Sequence, residues 1–221
     1  YSIKISEEPF DNGLFSLPQT AVIIFRDQNR NVVKKEKYGV LEAESIYEKI
    51  TSDEIINISN CYVKNFSLAE CRRKNGMDKD APIKLQHFSA IRTFFEADDT
   101  TDFSYVEFHE SCDFVNSTFG SGNVNFLKAK MIDTPSDFSN VDFGEGSINF
   151  QFADFGIGNV SFENSANHNG NTSFINASFG DGKVNFKNFN FGNGNVDFHF
   201  AKFGKGDISF DKAVFAGRYA D

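Results

Sequence analysis

Phenylalanine stands at every twelfth position from residue 114 to residue 210: Phe114, Phe126, Phe138, Phe150, Phe162, Phe174, Phe186, Phe198 and Phe210. A second series with the same step runs through Phe119, Met131, Phe143, Phe155, Asn167, Phe179, Phe191, Phe203 and Phe215, seven of whose nine positions are Phe. The two interleave at spacings of five and seven. An apolar repeat of fixed period constrains a chain more than any local propensity, because each unit must bury its face against the next.

Two residues before each first-series Phe there is often Val or Ile, as at Val124, Ile148, Val160, Val184, Val196 and Ile208. Before the second series it is mostly Ala or Ser, as at Ser117, Ala129, Ala153, Ser165, Ala177, Ala201 and Ala213. Apolar residues two apart share one side of an extended segment. The seven-residue spacings carry Gly-x-Gly (Gly144/Gly146, Gly156/Gly158, Gly180/Gly182, Gly192/Gly194), whose backbone freedom lets the chain turn.

A simpler form of the pattern lies upstream. Residues 56–70 read INISN, CYVKN, FSLAE, apolar at the first and third place of each five. After an insertion at 71–82 (CRRKNGMDKDAP) the pattern resumes at Ile83/Leu85 and Phe88/Ala90 and continues to Cys112/Phe114. On these residues, roughly 56–215, the chain resembles the pentapeptide-repeat family. The resemblance implies a right-handed quadrilateral β-helix, an all-β solenoid in which the central residue of each five, and the one two before it, point inward. The Gly-x-Gly corners depart from that pattern, making a variant of 12-residue double units. Outward positions set the length of one turn. Asn140, Asn164 and Asn188 recur at 24, and Phe152 and Phe200 lie 48 apart, so a turn is expected to hold 24 residues.

Residues 1–55 lack the repeat. AVIIF, RDQNRN and VVKKEKYGV read as strand, turn and strand, and Leu41, Ile46 and Ile50 have helical spacing. They are expected to form a small α/β cap over the first coil. Asn167 interrupts the second series, and NSANHNGNTS is expected to be a looser corner. The tail at 216–221 offers no cap, so a truncated chain or a homodimer through the open C-terminal coil is expected.

No catalytic, cofactor or metal site is expected. The four His share no ligand spacing with Cys or carboxylates, and no nucleophile–base pair emerges. Cys61 and Cys112 fall on inward positions; Cys71, beside Arg72 and Arg73, is the one thiol whose pKa these neighbours could depress. The odd cysteine count and sequons inside the repeats point to a reducing, bacterial-type cytoplasm. No apolar run reaches membrane-spanning length.

Charge is the remaining signal. The chain carries a formal −9, and residues 96–163 hold 13 acids against Lys128 and Lys130. The acids Glu96, Asp98, Asp99, Asp102, Glu107, Glu110, Asp113, Asp137, Asp142, Glu145 and Asp154 form a candidate interaction surface, with Asp133 and Glu163 alongside. Three functions follow as expectations. One is a non-enzymatic, rigid scaffold or protein-interaction module with a protein partner and no direct nucleic-acid or membrane binding. The other, implied by the resemblance, is an acidic DNA mimic that modulates or protects a type II topoisomerase or another DNA-binding protein. A third is a domain serving a catalytic partner outside these residues. Surface acids that merely solvate a Phe-rich rod would look the same in sequence.

Overall fold

The computed structural model describes residues 1–221 apart from Leu14, Arg218 and Asp221. It is a β-solenoid of about seven stacked turns, with two short helices near its N-terminal end. Four parallel ladders run along it. In the coil that starts at residue 118, the first face carries Thr118–Phe119, the second Asn123–Asn125, the third Lys130–Met131 and the fourth Ser136–Asp137.

Register confirms the longer turn. On the second face Val124 pairs with Ile148, Ile148 with Thr172 and Thr172 with Val196. On the fourth, Ser136 pairs with Val160, Val160 with Val184 and Val184 with Ile208. Every step equals the interval between Asn140, Asn164 and Asn188. The first and third faces continue as single-residue bridges with the same step, Thr118 to Asp142 to Ala166 and Lys130 to Asp154 to Ser178.

The 12-residue Phe series is therefore two columns on opposite faces. Phe114, Phe138, Phe162, Phe186 and Phe210 stack behind the fourth face; Phe126, Phe150, Phe174 and Phe198 stack behind the second. Within a column neighbouring rings lie 4.7–5.1 Å apart and within 2–9° of parallel. Between the columns they meet edge to face at 5.5–5.9 Å and 78–88°. Both arrangements suit the ring quadrupole, so one residue type satisfies the strand spacing and the cross-core contact together.

The long corners bring backbone against backbone. Gly180 has a φ of +55°, and a Cβ there would overlap the carbonyl oxygen of Gly156, the same corner one coil earlier. Only glycine fits both constraints.

Asn167 is buried, and the looser corner expected around it does not form. Its Nδ2 donates to Gly170 O at 2.7 Å and Thr172 Oγ1 at 3.1 Å, and its Oδ1 accepts from His168 N at 3.0 Å. The volume lost where Phe was expected is filled by Phe189, which replaces the usual small residue one coil later. Its ring lies 4.1 Å from Phe191 and 6.3 Å from Phe143. The satisfied amide and the displaced ring together keep the core closed.

The N-terminal segment touches the solenoid twice. Helix α1 (Ala43–Thr51) places Ala43, Ile46 and Tyr47 in the main core, with the Tyr47 ring 5.8 Å from Phe66. Strands Ser2–Ser6, Thr20–Arg26 and Val32–Leu41 form an antiparallel sheet whose last residues pair in parallel with Cys61–Lys64. It continues the first face and folds over its outer side, where Tyr62 and Phe94 join Ala21, Ile23, Tyr38 and Val40 in a second cluster. The insertion expected as a loop at 71–82 starts inside a helix. Helix α2 (Leu68–Lys74) is capped by Ser67, whose Oγ accepts from Glu70 N at 3.2 Å. The reason is its buried side: Leu68, Cys71 and Arg72 all face inward.

Candidate functional site

Corners, rather than pockets, carry this molecule's unusual side chains. Each short corner has one residue at positive φ. Between the fourth and first faces these residues are Asn60, Arg92, Asn116, Asn140, Asn164, Asn188 and Lys212; between the second and third they are Tyr105, Lys128, Phe152, Asn176 and Phe200. Asn suits the left-handed region because its short amide can bond locally. In the first column Asn188 Nδ2 donates to Asn164 Oδ1 at 2.8 Å, and Asn164 Nδ2 to Asn140 Oδ1 at 3.2 Å.

The second column departs from this economy. Phe152 is 50 % exposed and Phe200 70 % exposed, both at a φ of 57°. A bulky ring in the left-handed region is strained, and an exposed one gains nothing from the core. Tyr105, two coils before Phe152, has Arg72 at 5.5 Å and Lys128 at 5.2 Å over its ring. The spacing of Phe152 and Phe200 is visible in the sequence; their exposure and backbone strain are not.

The acids do not gather into one surface. Asp142 lies on the first face, Asp102 on the second, Glu107 and Asp154 on the third, Asp113 and Asp137 on the fourth. Glu96 ends the first-face strand Phe94–Glu96, and Asp98, Asp99 and Glu145 follow at the corner between first and second faces. Glu110 and Asp133 turn the corner before the fourth face, and Glu163 follows the fourth. This alternation around the rod follows from a four-sided turn: acids a few positions apart land on different sides.

Several acids have structural partners. Asp102 is buried with Arg72 and Ser104, accepts from Ala69 N at 2.9 Å and from Asn125 Nδ2 at 2.7 Å. Asp98 pairs with Asn65 and Lys64, which hold its carboxyl below the usual range. Burial, with the Asp137 carboxylate one coil away, pushes Asp113 upward.

Asp142 faces His168 Nε2 at 2.9 Å, and this hydrogen bond raises the imidazole above its ordinary 6.5. Raised in the folded state, the pair's contribution is complete below about pH 6.5 and fades as pH climbs through the folded-state value. An NMR titration should therefore place the His168 midpoint above 6.5, and Asp142→Asn should bring it down. A midpoint unmoved by that substitution would refute the pairing.

Cys71 corrects the sequence reading. Burial pushes its thiol up despite Arg72 and Lys74 nearby, and Cys61, pushed up to about 12, and Cys112 behave alike. All three are free and buried. Among the described residues no three His, Cys, Asp or Glu side chains converge as a metal site requires.

One groove, about 560 Å³, runs between the N-terminal sheet and the first face, lined by Phe25, Lys34, Glu36, Arg92, Thr118 and Asp142. At the other end the last coil leaves Ile208 43 %, Phe210 37 % and Phe215 41 % exposed. Arg218 and Asp221 of the tail lie outside the described residues.

No family model, curated protein or solved structure matches this chain. Among the described residues no helix is long and apolar enough to cross a membrane.

Proposed function

We propose that this chain is a non-enzymatic, rigid protein-interaction or scaffold module, built on a right-handed solenoid of the pentapeptide-repeat type. The observation that carries the reading is the fixed register of its outward side chains. Asn123 Oδ1 accepts from Ser147 N at 2.9 Å and Asn171 Oδ1 from Asn195 N at 2.9 Å, each bond locking a corner to the next coil. A surface held this way loses little freedom on association, which favours binding. The buried, unpaired thiols support a reducing, cytoplasmic-type compartment.

The DNA-mimic reading needs a continuous acidic side, and the spread of the acids over four faces argues against it. Immobilised protein, offered a native lysate beside a supercoiling assay with gyrase, tests both readings. We expect saturable retention of a discrete protein and no change in supercoiling. Retention no greater than on a blank support would overturn the module. Altered supercoiling at micromolar protein would favour the topoisomerase reading.

A further inference from the structure

The aromatic corner between the second and third faces has a spacing that selects a ligand. Phe152 and Phe200 are two coils apart, and Tyr105 lies two coils before Phe152. Two strand spacings of ~4.8 Å put successive rings about 9.6 Å apart along the rod. A polyproline II helix has three residues per turn and rises ~3.1 Å per residue, so one side recurs about every 9.3 Å.

Folding does not account for Phe152 and Phe200, whereas Tyr105 is held by Arg72 and Lys128 over its ring. The same corner holds Asn176, and the equivalent corner on the other side holds Asn in four successive coils: Asn116, Asn140, Asn164 and Asn188. Asn would relieve backbone strain and apolar exposure together. Between the rings, Lys128 and Asn176 present donors at the intervening coils, and a polyproline II backbone, lacking internal hydrogen bonds, offers carbonyl acceptors. Beside the row, Asp197 lies three residues before Phe200 and Asp154 two residues after Phe152, while Lys130 and Lys202 hold the place of Asp154 in other coils, so the flank carries both signs.

We propose that the row Tyr105–Phe152–Phe200 docks a proline-rich segment of a partner protein in the polyproline II conformation. Successive ligand turns sit over successive rings, the arrangement by which aromatic surfaces recognise such helices. The row spans four coils, enough for about two turns of ligand. This inference rests on the reading of the protein as an interaction module and names one partner chemistry for it.

The test uses fluorescence anisotropy with a labelled (Pro-Pro-Arg)4 peptide and a Gly/Ser peptide of equal length and charge. The proline peptide should bind saturably and at least tenfold more tightly than the control. Phe152→Asn and Phe200→Asn should each weaken it at least tenfold while leaving the thermal midpoint equal or higher, since Asn already occupies this conformation at Asn176.

Equal binding of the two peptides, or Asn variants that bind as tightly as the parent, would overturn the proposal. So would competition at these rings by a β-linked oligosaccharide or single-stranded oligonucleotide without proline binding. If the proline peptide fails while a lysate protein is still retained, only this inference falls. If neither binds, the module reading falls with it.

Discussion

Phe174→Ala should cost ~3–5 kcal/mol, lowering the thermal midpoint by roughly 6–20 °C. Phe174 is 1 % exposed. It stacks on Phe150 at 5.1 Å and Phe198 at 4.8 Å, and meets Phe162 and Phe186 edge to face at 5.7 and 5.6 Å. Removing it opens two ring columns at once. The coils above and below cannot collapse into the space, because their spacing is held by strand hydrogen bonds such as Phe174 N to Asp197 O at 2.7 Å. Phe174→Leu keeps most of the volume and should cost clearly less. Denaturant titration reads both; a loss below about 1 kcal/mol for Ala would refute the column as a main source of stability.

The second large effect lies at the insertion. Arg72 is 1 % exposed and donates through its two terminal nitrogens to Ser104 O and Ser104 Oγ, both at 2.8 Å. Asp102 Oδ2 is 3.7 Å from the guanidinium. Asp102→Ala would leave a buried cation without its counter-charge, and would take the acceptor from the Ala69 amide and from Asn125 Nδ2. Removing one member of such a pair costs ~3–5 kcal/mol. Replacing both, as Arg72→Met with Asp102→Leu, should cost much less than the single change, because no charge stays buried. Should the double variant prove as unstable as Asp102→Ala, the penalty would come from lost hydrogen bonds and packing rather than charge.

The solenoid was legible because its determinants repeat: the step of 12 located the inward rings, and the recurrence of Asn140, Asn164 and Asn188 gave the turn. Exceptions were harder to read. Asn167 looks like a defect until Phe189, almost a full turn further along the chain, is seen to occupy its space, and one sequence shows no pairing between them. Arg72 looks like a surface charge in CRRKNG because its partner, Asp102, belongs to the next coil. The acids misled for a related reason: proximity in sequence suggested a patch, whereas each quarter turn sends neighbours to a different side. Phe152 and Phe200 were useful as register marks, but whether an outward ring is covered depends on the third dimension.

The compensation between Asn167 and Phe189 makes the rod modular in an uneven way. Residues 167–190 are one full turn, and both departures from the ring pattern fall inside it. Excising that turn would join Ala166 to Phe191 without shifting any face, and would leave an unbroken ring column one coil shorter. A cut placed between the two residues keeps one irregularity without its remedy. Length in this protein is thus quantised, and the quantum has preferred boundaries.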